Sequence, residues 1–433
     1  MTLRRLDHLT FKGNLRDTRY GWLRLTPAYS VHLVTELLGN LSPGDVVLDP
    51  FCGTGTTALV CAERGIACDT TDINPFLVWL AKAKTRAYNR EELGSFKRIA
   101  DRVRKAISAK SHETSWAPPL FQIEKWWDEA STNALSRAFG VIKTAESDHE
   151  PDGTVDLLKL VFCRTIIECA NVSFGHQSMS FKKNGATGSL FGASAAIEGT
   201  WTAAAESIGR AAETPVLHVP HVVLCDARDL RTQLAENSYS CVITSPPYPN
   251  RMSYIRELRP YMYWLGYLSD GKAAGELDWQ AIGGTWGSAT SNVGKWKPES
   301  ERAIPFNGFS QILSDIAVKS PVLSKYVHKY FYDMVSHCKS MFAVLKPGGQ
   351  AHYIVGNSKF YDVMLPVEGI FAGMFESVGF SGVDVRTIRK RTSKKELFEF
   401  VVSAKKPAAT ANQKKPRGLP KLTHKGPKPL SDC

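Results

Sequence analysis

The sequence contains no apolar run of about 18 residues and no Cys-x-x-Cys motif. A helix that crosses a bilayer needs about 20 mainly apolar residues, so we expect no membrane span and no membrane partner. The stretch MTLRRLDHLTFKGN is basic but lacks the apolar core of a secretory signal, which favours the cytoplasm. The nine cysteines are odd in number and lack metal-ligand spacing. They therefore indicate reduced thiols, with no disulfide framework and no metal site.

Charge is ordinary in amount but uneven in its distribution along the chain. The 433 residues carry a formal net charge of +12. From Lys405 onward there are eight Lys or Arg residues and one Asp, in a Lys/Pro-rich stretch without apolar periodicity. We expect residues 405–433 to be a disordered basic tail. A basic chain with a basic tail suits a polyanionic partner, although the same charge would also serve solubility alone.

Strands and helices alternate at the start of the folded part of the chain. VVLD (46–49) and ACDTTD (67–72) have the pattern of buried strands, and each is followed by a helical stretch. This order predicts a parallel sheet with helices on its faces. Strand patterns return at 221–230, 241–244, 350–357, 383–388 and 397–404. The seven strands predict one α/β sheet, mostly parallel, whose last two strands form an antiparallel hairpin.

The segment between the second and third strands has a different pattern. Residues 86–215 are mainly helical and contain one polar, glycine-bearing loop that begins NVSFGHQSMSFKK. We therefore expect a sheet domain formed by residues 1–85 and 216–404, a helical insertion at 86–215, and the tail.

The turn after the first strand, PFCGTG, places Gly53 and Gly55 between a strand end and a helix start. Glycines there permit close approach of a ligand to the backbone, and a helix amino terminus favours a negative group. Asp72 ends the next strand, where a carboxylate can accept hydrogen bonds from the ribose hydroxyls of a nucleoside. These residues predict a nucleoside-containing cofactor. The loop alone does not choose between a nicotinamide dinucleotide and S-adenosylmethionine.

A second unusual turn, Ser245–Pro246–Pro247–Tyr248, follows the apolar run CVIT at 241–244. Two prolines cannot continue strand pairing, because each lacks a backbone N–H and has a fixed φ. They hold a backbone carbonyl outward at a position where a strand would have paired it.

With DPFCGTGTT followed by TSPPY, the sequence resembles the amino-group DNA methyltransferases, which methylate cytosine N4 or adenine N6 with S-adenosylmethionine. The resemblance covers residues 20–85 and 216–405 and implies a Rossmann-like, seven-stranded methyltransferase sheet. A serine in the first position of the second motif is more typical of the cytosine-N4 branch. The resemblance assigns the cofactor to Pro27, Asp49, Phe51, Gly53, Gly55, Thr56, Asp72, Ile73 and Asp226.

The chemistry of an exocyclic amine accounts for the second motif, which the resemblance identifies as catalytic. Such an amine is a poor nucleophile, and acceptors around its two N–H bonds favour the tetrahedral geometry that attack requires. The Ser245 hydroxyl and the Pro246 carbonyl are suitable acceptors, and Pro247 adds rigidity. Tyr248 can stack on a base that has left the duplex. The chain has no Pro-Cys dipeptide, which carries the nucleophile of cytosine-C5 enzymes, so direct transfer without a covalent enzyme intermediate is expected.

Two regions supply candidates for contacts with DNA. Recognition of the surrounding bases is expected from the helical insertion, with the Gly- and Trp-rich stretch at 279–302 as the second candidate. Basic side chains placed to contact phosphates are Arg251, Arg256, His176, Lys182 and Lys183.

The expected function is site-specific methylation of cytosine N4 in double-stranded DNA, in the cytoplasm of a prokaryote. A restriction–modification system with a cognate endonuclease is the expected setting. Three alternatives stay open: adenine-N6 methylation of DNA, guanine-N2 methylation of RNA, and non-catalytic DNA binding on the same scaffold.

Overall fold

The computed structural model describes residues 18–23, 29–39, 41–42, 44–109, 116–173, 180–182, 193–250, 253–285, 287–300, 303–391 and 396–408. The strands are β1 (Val46–Asp49), β2 (Ala67–Asp72), β3 (Val172–Ser173), β4 (Ser180–Phe181), β5 (His221–Leu224), β6 (Tyr239–Thr244), β7 (Leu345–Gly356), β8 (Ser358–Phe360), β9 (Val363–Leu365), β10 (Ser381–Lys390) and β11 (Phe398–Lys405).

The helices are α1 (Val31–Leu38), α2 (Thr56–Arg64), α3 (Pro75–Thr85), α4 (Arg90–Ser108), α5 (Glu129–Ser147), α6 (Asp152–Glu168), α7 (Ala193–Ala212), α8 (Tyr254–Trp264), α9 (Gly271–Gln280), α10 (Ser288–Lys295), α11 (Phe309–Lys319), α12 (Pro321–Val344) and α13 (Val367–Val378). Within the described ranges, no helix is both long enough and apolar enough to cross a bilayer.

One seven-stranded sheet organises the molecule, in the order β10-β11-β7-β6-β1-β2-β5. The strands from β7 to β5 pair in parallel, whereas β11 runs antiparallel to both β7 and β10. Apolar and β-branched residues form the central strands β1 and β6 because helices cover both faces of a parallel sheet. The predicted α/β sheet with a carboxyl-terminal antiparallel hairpin is confirmed.

The parallel strands end at a common edge of the sheet. Asp49 ends β1 and Asp72 ends β2, while Cys225 and Ser245 directly follow β5 and β6. In parallel sheets, ligands bind outside the carboxyl ends of the strands. The residues of both sequence motifs are therefore brought to one edge.

The helices α4 to α7 lie between β2 and β5 along the chain and share a hydrophobic core with the sheet domain. Trp264 of α8 contacts Trp127, Phe139 and Phe162, with ring centroids 5.9, 6.0 and 5.2 Å away. Phe76 of α3 belongs to the same buried cluster. The insertion is thus packed against α3 and α8 rather than held on a separate stalk.

The last strand continues past the expected start of the tail. β11 includes Lys405, and the Lys406 backbone N–H donates to the Gly349 carbonyl at 2.9 Å. The expected boundary after residue 404 is therefore too early, because this backbone pairs with the turn at the start of β7. Residues 409–433 lie outside the described residues.

Candidate active site

The glycine turn between β1 and α2 has the backbone geometry that its sequence predicts. Gly53 and Gly55 adopt positive φ values of 52° and 73°, which residues with a Cβ adopt at a cost. A Cβ added to Gly55 would lie 3.2 Å from the Cβ of Ala81, on the helix beneath. The turn can therefore pass close to α3 and leave its other side open to a ligand.

Asp72 connects this turn to β2. Its Oδ2 accepts a hydrogen bond from the Gly53 N–H at 3.0 Å, and its Oδ1 accepts one from the Asn74 N–H at 2.9 Å. Burial raises the pKa of Asp72 to about 6, although these backbone hydrogen bonds oppose the shift. Asp72 lines the same cavity as Gly53 and Phe51. An ionised carboxylate with spare lone pairs thus faces the space beside the glycine turn.

Asp226 stands at the next strand end and also lines the cavity. The Arg228 guanidinium donates hydrogen bonds to both oxygens of the Asp226 carboxylate. Its Nη2 is 2.6 Å from Oδ2, and its Nε is 3.0 Å from each oxygen. Arg228 Nη2 also donates to the Gln280 carbonyl at 2.7 Å. Gln280 also lines the cavity, so Arg228 joins two parts of the cavity wall that are distant in the sequence.

The second motif forms part of the same cavity wall. Ser245, Pro246 and Pro247 line the space that Gly53 and Asp72 also line. Ser245 Oγ donates to the Ile354 carbonyl of β7 at 3.0 Å. The Pro247 carbonyl accepts from the Tyr330 hydroxyl at 2.7 Å, whereas the Pro246 carbonyl accepts no hydrogen bond from the described residues.

Tyr248 is not on this wall. Its ring is 7% exposed, and its hydroxyl donates to Glu399 Oε1 at 3.0 Å. Burial and the Glu399 carboxylate raise the pKa of Tyr248 well above its usual value, an effect that Arg391 and the Ser245 hydroxyl reduce. The Tyr248 ring is turned toward the β10–β11 hairpin, where it contacts Glu399 and Arg391.

Aromatic residues of α8 form part of the cavity wall. Tyr254 and Tyr261 line the cavity, and the Tyr254 hydroxyl accepts from the Tyr248 N–H at 3.4 Å. The sequence NRMSYIRELRPYMYWLGY (250–267) is rich in aromatic residues, a composition that favours core packing for most of the rings. Tyr263 and Trp264 are indeed buried in the core.

Three expected cofactor residues lie beneath the cavity wall rather than on it. Gly55 and Thr56 form the first turn of α2, and Thr56 is buried. Asp49 is fully buried, and its carboxylate accepts from the Thr244 hydroxyl at 2.6 Å and the Tyr29 hydroxyl at 2.8 Å. Burial raises the pKa of Asp49 to about 6. Its oxygens are used to join β1, β6 and the segment before α1, so it does not face the cavity.

The remaining residues predicted to contact the cofactor or DNA lie partly on the cavity wall, partly at the surface and partly outside the described residues. Phe51 and Ile73 line the cavity. Arg256 is exposed on α8, directly between two residues of the cavity wall. Lys182 is exposed beside β4, in the insertion. Pro27, Arg251, His176 and Lys183 lie outside the described residues.

Two buried cationic or titratable side chains near the glycine turn were not found from the sequence. Lys84 Nζ donates to the Thr54 carbonyl at 2.8 Å, and burial lowers the pKa of Lys84 to about 8. His337 lies between the Ala227 carbonyl at 2.8 Å and the Tyr353 hydroxyl at 2.6 Å. Burial lowers its pKa to about 4, so the ring is neutral at pH 7. A lysine in α3 and a histidine in α12 have no local signal that distinguishes them from surface residues.

In the described part of the chain, no three His, Cys, Asp or Glu side chains converge where a metal ion could bind. Cys225 lines the cavity, but burial raises the pKa of its thiol. A thiol with a raised pKa is a poor nucleophile, because the thiolate is the reactive form.

Known proteins resemble the chain both at the glycine turn and over most of its length. A family model described as a DNA methylase of the N6/N4 type matches residues 29–83. The Type II methyltransferase M.BsoBI of Geobacillus stearothermophilus is 24% identical over 429 residues, which covers 88% of this chain and 82% of that protein. The Type II methyltransferase M.AvaI of Anabaena variabilis is 21% identical over 427 residues, with 86% and 81% covered.

A shorter match has higher identity. The Type II methyltransferase M.MjaII of Methanocaldococcus jannaschii is 42% identical over 54 residues, which covers 12% of this chain and 10% of that protein. The glycine turn lies within the range that the family model matches, and the similarity to Type II methyltransferases extends along most of the chain. The chain is therefore similar to the DNA methylases of the N6/N4 type at residues 29–83 and to Type II methyltransferases over most of its length.

Proposed function

We propose that this protein transfers a methyl group from S-adenosylmethionine to the N4 amine of a cytosine that has been extruded from double-stranded DNA. One observation carries the proposal. Ser245, Pro246 and Pro247 line the same cavity as Gly53 and Asp72, so an amine held by the second motif would adjoin a cofactor held by the first. The similarity to Type II methyltransferases supports DNA as substrate and restriction–modification, with a cognate endonuclease, as the setting.

The cavity offers the groups that S-adenosylmethionine requires. We assign the ribose hydroxyls to Asp72, the adenine amino group to Asp226, and the remainder to Phe51, Gly53 and Ile73, all on the cavity wall. When bound, the cofactor supplies an electrophilic methyl group on a sulfonium. Asp49, Gly55 and Thr56 would act indirectly by fixing the shape of the turn, and we place Pro27 at the methionine end by family resemblance.

The hydrogen bonds of the second motif suit it to hold an amine. Ser245 has one hydroxyl hydrogen, and its donation to the Ile354 carbonyl leaves the oxygen lone pairs free to accept. The Pro246 carbonyl has no partner among the described residues, whereas Tyr330 already occupies the Pro247 carbonyl. Two acceptors around one amine favour its pyramidal geometry and stabilise the positive charge that develops on nitrogen. We infer direct transfer, because Cys225 is held as a thiol.

We assign the extruded base to the ring of Tyr248. The Tyr248 ring does not line the cofactor cavity, but Ser245 both lines that cavity and hydrogen-bonds to the Tyr248 side chain. Stacking on an aromatic ring compensates part of the cost of unpairing a base, which is a few kcal/mol. The helical insertion at 86–215 is our proposed target-recognition region, and Arg251, Arg256, His176, Lys182 and Lys183 are proposed phosphate contacts.

The proposal is tested by following labelled methyl groups from S-adenosylmethionine into DNA with the full chain. Ser245→Ala removes one acceptor and is expected to lower kcat on the order of 10², with unchanged cofactor affinity. Tyr248→Phe removes the bond to Glu399 but keeps the ring, so it should retain more activity than Tyr248→Ala. Ser314→Ala is the matched control, since this exposed hydroxyl bonds only to the preceding turn of its own helix at Ser310. Near-normal rates in both Ser245→Ala and Tyr248→Ala contradict the assignment.

The identity of the methylated atom needs a separate measurement. Methylated DNA is digested to nucleosides, and the product is identified by mass. N4-methylcytosine is expected from the serine of the second motif, and N6-methyladenine would move the protein to the other branch of its family. Single-molecule sequencing of DNA from cells that express the protein gives the recognised site. Transfer to RNA but not to DNA would exclude the proposed substrate.

A further inference from the structure

The β10–β11 hairpin holds the tyrosine of the second motif. The Tyr248 hydroxyl donates to Glu399 Oε1, and the other oxygen of Glu399 accepts from Arg389 Nε at 2.6 Å. Glu399 and Arg389 thus form a nearly buried ion pair, with side chains 9% and 16% exposed. Because Arg389 balances the charge of Glu399, this carboxylate does not need a second cation.

A second arginine of the hairpin lies on the ring itself. The Arg391 guanidinium carbon is 5.3 Å from the centroid of the Tyr248 ring, within the range of a cation–π contact. Its Nη1 donates to the Asn357 carbonyl at 3.1 Å. In the described part of the chain no carboxylate pairs with Arg391, and most of its five N–H donors have no protein acceptor. Its charge is therefore available to an anion.

Close packing fixes the position of this arginine. A Cβ at Gly356 would lie 3.0 Å from Tyr248 Cε2 and 2.9 Å from Arg391 Nη1. The ring and the guanidinium therefore meet above a backbone that has no side chain. The guanidinium is planar, as a nucleobase is, and it covers a surface of the ring on which a base could stack.

The charge of the hairpin turn contrasts with that of the proposed recognition region. The sequence KRTSKK at 390–395 has four basic residues and no acidic residue, whereas the preceding Arg389 is already paired with Glu399. Residues 86–215 contain equal numbers, 16 Lys or Arg and 16 Asp or Glu. Affinity for nucleic acid depends mainly on neutralised phosphates, so the hairpin suits the DNA backbone better than the insertion does.

We propose that Arg391 covers the base-stacking face of Tyr248 in the DNA-free protein and binds a DNA phosphate beside the extruded nucleotide in the complex. The entering base replaces the guanidinium on the ring, and the displaced guanidinium remains next to the backbone of the same nucleotide. Arg391 is thus both a placeholder in the target-base pocket and a phosphate contact. This inference rests on the proposed function, because it requires a base on Tyr248.

The test measures DNA binding by the full chain over a range of salt concentrations, with a duplex that contains the methylated site. Arg391→Ala should lower DNA affinity at least tenfold and make the slope of log affinity against log salt less negative by about 0.9, the value for one lost phosphate contact. Arg391→Lys keeps the charge and should keep most of the slope. Affinity for S-adenosylmethionine should stay unchanged in both variants, which also shows that they are folded.

Arg386→Ala is the matched control, because Arg386 is an exposed arginine of β10, the strand that precedes Arg391, and it pairs with Glu36. It should bind DNA as the unaltered protein does. A full salt slope in Arg391→Ala, or a loss of affinity with no change of slope, overturns the phosphate contact. If the unaltered protein transfers no methyl group to DNA, the proposed function fails. If the unaltered protein and Arg391→Ala bind and methylate DNA equally well, the proposed role of Arg391 fails and the proposed methyltransferase function stands.

Discussion

Asp49 and Asp72 end adjacent strands and have similar acidity but different positions. Burial raises the pKa of both Asp49 and Asp72 to about 6. The oxygens of Asp49 are taken by hydroxyls of Thr244 and Tyr29, whereas Asp72 accepts backbone N–H groups and faces the cavity. At the scale of residues, the hydrogen-bond partners therefore decide which acid can meet a ligand.

Cofactor affinity should fall as the pH falls through about 6. In its proposed role, the ionised form of Asp72 accepts two ribose hydroxyl hydrogens, and protonation would remove acceptor capacity. If only the ionised form binds, affinity for S-adenosylmethionine decreases about tenfold between pH 7 and pH 5. Calorimetric titration over this range measures the effect. Asp72→Asn should bind more weakly and with a flatter pH profile, while the exposed Asp384→Asn should leave the profile unchanged.

Acidification should affect the stability of the fold in the opposite direction from cofactor affinity. Protonation of Asp49 and Asp72 should stabilise the folded chain. A folded-state pKa above the usual value means that the folded chain takes up protons before the unfolded chain does. The penalty of burying the two charges is therefore present above pH 6 and is relieved as the pH falls below it. A cofactor affinity that rises on acidification would contradict the role of Asp72.

At the scale of elements, Lys406 joins three structures at the end of β11. Its Nζ donates to the carbonyls of Phe342 and Leu345, each at 2.7 Å, and to Asn237 Oδ1 at 2.9 Å. The two carbonyls lie at the carboxyl end of α12, where a cation is favoured by the helix dipole. The final strand is thus fastened to the helix that packs behind the sheet.

Lys406→Ala should lower the free energy of unfolding by about 1–3 kcal/mol, because it leaves polar groups without their charged partner. Urea denaturation measures the change. Lys405→Ala is the matched control, because the Lys405 side chain is next to Lys406 in sequence but is exposed. This substitution should change the free energy of unfolding by less than about 0.5 kcal/mol.

At the scale of the whole molecule, one buried arginine connects the amino-terminal segment to two helices. Arg19 is 1% exposed and donates to the carbonyls of Ala212 at 2.7 Å, Thr214 at 2.8 Å and Lys84 at 3.0 Å. Its guanidinium also lies 5.3 Å from the centroid of Tyr88. The ends of α3 and α7 are thereby held together, which fixes the insertion against the sheet domain.

Arg19→Ala should destabilise the protein by about 3–5 kcal/mol, because several buried carbonyls lose their donor at once. Arg19→Lys should have an intermediate effect, since three ammonium hydrogens cannot replace the guanidinium fork. Denaturant unfolding is the measurement, and Arg98→Ala is the control. Arg98 pairs with Glu150 at the surface, so its loss should cost less than about 1 kcal/mol. Equal effects of Arg19→Ala and Arg98→Ala would contradict this role.

Local chemistry was sufficient for the sheet and for the two motifs. Strands of apolar residues, positive-φ glycines and a bis-proline corner act through the backbone of their own segment, so their pattern is visible in a single stretch of sequence. Parallel pairing then brings the strand ends to one edge, in keeping with the grouping of Gly53, Asp72 and Ser245 that the family resemblance implied.

Contacts between distant segments could not be inferred in this way. Tyr248 faces Glu399 and Arg391, more than 140 residues further along the chain. Lys84 reaches the glycine turn only because α3 packs beneath it, and Tyr254 takes a place on the cavity wall through the angle of α8. Side-chain direction depends on the packing of the surrounding elements. The residue sequence alone thus specified which backbone corners form the site, and tertiary packing decided which side chains face it.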